Sequence, residues 1–185
     1  MKTNKWIFAI VMASLAWVAC EEDSDNPLNK PELNDTDDTF VELAARSNMA
    51  EIEFGELAAT KATDSLVKSF AQDMVSEHTT AQNELKDIAD DFDGIDWPND
   101  LSEANDSIME RLNNASGYEF DTLYMRTQVT LHEVAVNTFA TAKTNTTDAR
   151  VKAYANKYHP HIVMHLEMAD SIQTVIVSEG GMNIN

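Results

Sequence analysis

Five histidines occur in the 185 residues, and three of them sit inside stripes of apolar residues that recur every three or four positions: His78, His132 and His165. Glu51 holds a comparable place in a fourth stripe. Neutral imidazole nitrogens and a carboxylate oxygen are donors that zinc, iron and copper accept. Three histidines and one acid would therefore make a mononuclear site for one such ion. The same four side chains would equally make a buried polar cluster. The imidazoles would then hydrogen-bond Glu51, Tyr124, Tyr158 or one another and fix the register of the helices. Both readings require the four residues to meet. Unpaired buried polar groups cost about 1–3 kcal/mol each, so an idle gathering is disfavoured.

The remaining chemistry is sparse. His159 and His161 flank Pro160 and read as partly exposed residues at a kink. Met49, Met74, Met125, Met164 and Met168 read as core filler rather than as copper ligands. There is no Gly-x-Ser-x-Gly, no glycine-rich phosphate loop and only one cysteine. His132 and Glu133 are neighbours in sequence and so point to different sides of a helix. The balance leans against an enzyme.

Long helices are needed to position these residues. Residues 38–61 form the first, with Phe40, Ala44, Glu51, Phe54 and Ala58 on one side. Ala62-Thr63 is too short to do more than reverse the chain, and Asp64 caps a second helix over residues 64–91. Val67, Phe70, Ala71, Met74, His78, Ala81, Leu85 and Ile88 step along it by threes and fours. After Asp93-Gly94 and Trp97-Pro98 comes a short helix over residues 101–115, ended by Ser116-Gly117. A third long helix spans residues 119–144, with Met125, Val129, His132, Val136 and Phe139 in line. The last runs to about residue 178 and ends at Gly180-Gly181, with His165 in its stripe and Pro160 inside it. His78, His132, His165 and Glu51 lie about 14, 13, 17 and 13 residues from their helix starts. Mid-helix positions come level whether the long connection caps one end or crosses the bundle. The fold expected is an all-α four-helix bundle with an extra short helix between the second and third long ones.

The N-terminus calls for a different reading. Lys2 and Lys5 precede an apolar run from Trp6 to Val18, whose 13 residues span only about 20 Å as a helix. A basic start, a short apolar stretch and a small residue before a break read as a secretory signal over residues 1–19. Trp17-Val18-Ala19-Cys20 resembles a bacterial lipobox, although Leu is usual where Trp17 stands. Acylation of Cys20 would hold the chain on a membrane, since each buried methylene contributes about 0.8 kcal/mol. Residues 20–37, acidic and with two prolines, read as a flexible tether ahead of a domain over residues 38–185.

Composition limits the partners. The formal net charge is −19, and loss of residues 1–19 with their two lysines makes it −21. Such a surface repels nucleic-acid phosphates, so nucleic-acid binding is excluded as a function. Only five glycines and four prolines leave little turn material for a β-rich fold, and no solenoid repeat is visible.

Several stretches together resemble the domain of unknown function 4142 family. They are Phe40-Val41 through Ala44-Ala45 to Glu51-Ile52-Glu53; Val67-Lys68-Ser69-Phe70-Ala71-Gln72-Asp73-Met74 with Glu77-His78-Thr79; Ser116-Gly117, Phe120-Asp121, Tyr124, Gln128-Val129 and His132; and Tyr154-Ala155, Pro160 and His165-Leu166. The family usually has Asp where Glu77 stands and Leu where His159 stands. The resemblance covers about residues 39–175. It implies a ferritin-like bundle and an envelope location, in the periplasm or at the outer membrane, and no established reaction. Ferritin-type di-iron sites take Glu-x-x-His from two helices, and no histidine here has Glu three residues before it.

Overall fold

Asn34 starts the first helix. Its side chain accepts hydrogen bonds from the amides of Thr36 and Asp37, two of the donors a helix leaves unsatisfied at its beginning. The computed structural model describes residues 30–182, and helix covers most of them. The elements are α1 (Asp35–Lys61), α2 (Ser65–Ala89), α3 (Glu103–Asn114), α4 (Gly117–Asn145) and α5 (Ala149–Met182). Among the described residues no strand forms, and only an isolated bridge joins Glu32 to Asp93. The protein is an all-α bundle of four long helices with one short helix in the connection. No described helix is long and apolar enough to cross a membrane. The proposed signal segment, residues 1–19, and Cys20 lie outside the described residues.

Several boundaries move from those expected. α1 begins at Asp35 rather than Asp38, so the stretch taken as tether is already helix at residues 35–37. Residues 30–33 lie against the domain, where the Asp93 amide donates to the Pro31 carbonyl and the Lys30 amide to Asp93. Hydrogen bonds do this together with a single apolar side chain, Leu33, which packs half-buried against the core; one leucine among polar residues makes no periodic pattern for hydropathy to reveal. Gly117 opens α4 at φ +57° instead of merely ending α3. α5 continues through Gly180-Gly181 to Met182 rather than stopping at about Ser178. It also continues as one helix past Pro160, which has no N–H to donate within it.

Short links make α1–α2 and α4–α5 antiparallel hairpins. The connection between them runs the length of the bundle. It leaves the end of α2, where Asp91 meets Arg150 of α5, and passes beside α1, where Arg46 pairs with Asp96 at 2.8 Å. It reaches the opposite end where Lys61 donates to the Leu112 carbonyl at 2.9 Å. Gly55 marks the closest approach of α1 and α2: a Cβ there would lie 2.8 Å from Val75 Cγ2 and 3.1 Å from the Ala71 carbonyl oxygen.

The two hairpins are tied by a matching pair of buried acids. Asp121, just past the first turn of α4, accepts from the Thr63 and Asp64 amides and the Thr63 hydroxyl, and so holds the α1–α2 turn. Asp37, in the first turn of α1, does the same for Thr147 and Asp148 at the α4–α5 turn. Each of these residues lies 84 positions from its counterpart: Asp37 and Asp121, Thr63 and Thr147, Asp64 and Asp148. The same shift relates the buried Ala58 to Ala142, Val67 to Val151 and Ala71 to Ala155. The bundle is thus a helical hairpin used twice, related by an approximate two-fold axis.

The core is divided along its length. One apolar cluster holds Phe54, Phe70, Met74, Leu112, Phe120, Tyr124 and Met125. The other holds Phe40, Val41, Leu85, Phe139, Tyr154, Tyr158 and Ile162. Between them, each long helix contributes buried polar side chains: Asn48 and Glu51 from α1, His78 from α2, Gln128 and His132 from α4, His165 from α5.

Candidate metal centre

The three core histidines meet in this polar layer. Their ring centroids form a near-equilateral triangle, 5.8 Å from His78 to His132 and 5.4 Å for each of the other two sides. One nitrogen of each ring lies within 4.8 Å of one nitrogen of the others. Among the described residues, this is the one such grouping of histidine, cysteine or acidic side chains. His78 is 6% exposed, His132 1% and His165 2%.

Each imidazole is held by one nitrogen. His78 Nδ1 lies 2.9 Å from Asn48 Oδ1, and Asn48 Nδ2 in turn donates to the Tyr154 hydroxyl at 3.0 Å. His132 Nδ1 lies 3.0 Å from the Gln128 carbonyl oxygen, one helical turn back. His165 Nε2 lies 3.1 Å from Glu77 Oε2. All three partners are acceptors, so these nitrogens carry the protons and donate. In a neutral ring the other nitrogen then keeps a lone pair. Those other nitrogens are His78 Nε2, His132 Nε2 and His165 Nδ1, and all three are buried without a hydrogen-bond partner.

Electrostatics keeps lone pairs available in two of the rings. Burial, helped by the neighbouring His132 and His165 imidazoles, pushes the pKa of His78 well below 6.5. Burial and then His132 push His165 down to about 4, against the pull of Glu77. Both rings are neutral at pH 7.

Glu51 is placed differently from the fourth ligand expected. Its Oε1 lies 3.8 Å from His132 Nδ1, on the side of the ring that faces away from the lone pair, and it stands outside the three-histidine group. Burial raises its pKa while His132 opposes the rise. The geometry reaches Glu51 only through a ring, so it is a carboxyl group behind His132 rather than a corner of the triangle. The expected partners Tyr124 and Tyr158 also fall elsewhere. The Tyr124 hydroxyl is buried without a partner, and the Tyr158 hydroxyl donates to Glu84 at 2.8 Å. His159 lies 3.5 Å from Lys143 Nζ, while His161 reaches Glu77 at 3.2 Å. Cys20, the expected acylation site, is outside the described residues.

Asn48, Gln128 and Glu77 were missed as partners of the histidines. Glu77 precedes His78 in sequence and so points off the face that His78 uses, yet it meets His165 from α5. The 84-residue shift offers a signal for Asn48, because it carries Asn48 onto His132. It carries His78 onto Ile162 and His165 onto Ala81. The two-fold symmetry of the scaffold is therefore broken at the site, and one triad forms where two would be possible.

A family model described as a domain of unknown function (DUF4142) matches residues 23–172. The chain belongs to that family. No curated protein and no solved structure matches it. Within this DUF4142 chain the matched region takes in all five helices, except the end of α5, and all three histidines. The family description carries no reaction, so the chemistry of the site rests on the residues themselves.

Proposed function

We propose that this is an envelope protein that binds one transition-metal ion, zinc, copper or iron, through His78 Nε2, His132 Nε2 and His165 Nδ1. The observation that carries the reading is the convergence of three buried, unpartnered nitrogens whose rings are each oriented by an acceptor on the far nitrogen. That is the arrangement that fixes the tautomer of a metal-binding histidine. Two imidazole nitrogens each about 2 Å from one tetrahedral ion lie roughly 3.3 Å apart, so small ring rotations suffice to close the triangle. Left empty, three stranded acceptors would cost about 1–3 kcal/mol each. Glu77 supplies an outer carboxylate against the charge of a divalent ion. The reading leans towards binding rather than catalysis, and a redox enzyme is the weaker alternative, since the Glu-x-x-His ligands of a di-iron centre do not occur.

Metal analysis of the purified protein tests this. We expect about one ion per chain, lost in both His78→Ala and His132→Ala. We also expect a rise in Tm on adding the ion, since ligand at 100 times Kd contributes about 2.7 kcal/mol. Metal-free protein with no thermal response to zinc, copper or iron would overturn the reading and leave the triad as a polar packing layer. The placement at the envelope is supported by the basic start, the apolar run and the Ala19-Cys20 break.

A further inference from the structure

The triangle is buried, and an ion must reach it. On the α2–α5 side, Glu77 Oε2 lies 3.2 Å from His161 Nδ1 and 3.1 Å from His165 Nε2. The Glu77 and His161 side chains are 40% and 47% exposed, whereas that of His165 is 3% exposed. One carboxylate oxygen thus links an imidazole in water to an imidazole in the core. A narrow cleft of about 10 Å³ follows the same line, bordered by His161, Glu77, His165 and His78. Its size is close to that of a single water-sized sphere. A carboxylate and an imidazole one helical turn from a buried ligand offer the same donor classes as a metal site, but in reach of solvent.

We propose that Glu77 and His161 form a loading subsite, which captures the metal ion at the surface and passes it to His165 and then to the triangle. The inference rests on the reading of the triangle as a metal site. In the transfer, the bond from the ion to His161 breaks as a bond to the lone pair of His165 Nδ1 forms, while His165 Nε2 keeps the proton that it donates to Glu77. The ion keeps its oxidation state. Because His161 touches the route and not the triangle, it governs how fast the ion enters and leaves rather than how tightly it is held.

Stopped-flow absorbance with Co²⁺ alone, whose visible bands report imidazole coordination, distinguishes these roles on the purified protein. For His161→Ala, and for His161→Gln as the variant that keeps more of the side chain, we expect association and dissociation both to slow by about tenfold. Kd and the final spectrum should be unchanged. Unaltered rates in both variants would overturn the loading subsite while leaving the triangle as a metal site. A weaker Kd at an unaltered association rate would also overturn it, because His161 would then only orient Glu77. If the unsubstituted protein develops no Co²⁺ bands at all, the metal reading itself fails, and the subsite with it.

Discussion

His78 and His165 carry a cost that depends on pH. Both have folded pKa values below the ordinary 6.5, that of His165 near 4. As pH falls through 6.5, the unfolded chain takes up protons that the folded rings refuse, so stability drops with acidity down to the folded values. Each such histidine contributes a slope of roughly 1.4 kcal/mol per pH unit. Glu51 works the other way above pH 4.5. Burial has raised its pKa, so the fold keeps a proton that the unfolded carboxylate has lost. It cancels at most one of the two histidines. We therefore expect the urea midpoint of the metal-free protein to fall between pH 6.5 and 4, and to fall more steeply in Glu51→Gln. A midpoint that stays level over that range would contradict the lowered pKa values of His78 and His165. At this scale the sequence showed which residue types would meet but not their atoms. Glu51 shares the stripe periodicity of a ligand, yet its carboxylate ends behind His132, a difference of one ring width that spacing does not resolve.

The elements are held by their turns as much as by their faces. Asp37 and Asp121 each accept bonds from two turn amides and a threonine hydroxyl, away from water. Burial pushes the Asp37 carboxyl up, but the Asp148 and Thr147 amides and the Thr147 hydroxyl outweigh it and hold its pKa below 3.8. Its contribution is therefore fully present above about pH 4 and is lost as pH falls through the folded value. Hydrogen bonds to a charged group contribute about 1.5–3 kcal/mol. We expect Asp37→Ala and Asp121→Ala each to lower stability by about 3 kcal/mol, measured by urea denaturation. The two lie at opposite ends of the bundle, so the double variant should show the sum within about 0.5 kcal/mol. A loss under 1 kcal/mol in either would show that the turn does not depend on its clamp. In the sequence Asp37 reads as the last residue of the acidic tether and Asp121 as an acidic residue near a helix start. Only the fold brings them to a turn on another helix.

At the scale of the whole molecule, the two-fold repeat and the two apolar clusters explain why the polar layer sits at mid-bundle. Each half supplies one hairpin, and the middle of every helix falls at the same height. The polar layer then separates two apolar cores that pack without it. Replacing Cys20 tests the other whole-molecule claim. If Cys20 carries the proposed acyl anchor, Cys20→Ser moves the protein from the membrane fraction to the soluble one. Continued membrane attachment would refute acylation at that residue.

Helix number, the apolar faces and the choice of His78, His132 and His165 were determined by the sequence alone, because a period of three to four residues ties identity to face over many turns. Family membership was legible from the resemblance of several stretches, such as Val67 to Met74, and not from periodicity. The tertiary structure decided three things that no local pattern encodes. The connection after α2 crosses the bundle instead of capping it, as contacts with Arg46 and Lys61 on another helix require. Asp37 and Asp121 act across 110 and 58 residues. Asn48, the Gln128 carbonyl and Glu77 set which nitrogen of each histidine faces its neighbours. Periodicity fixes direction along one helix, whereas the atom that meets another helix depends on how far apart the two helices pack.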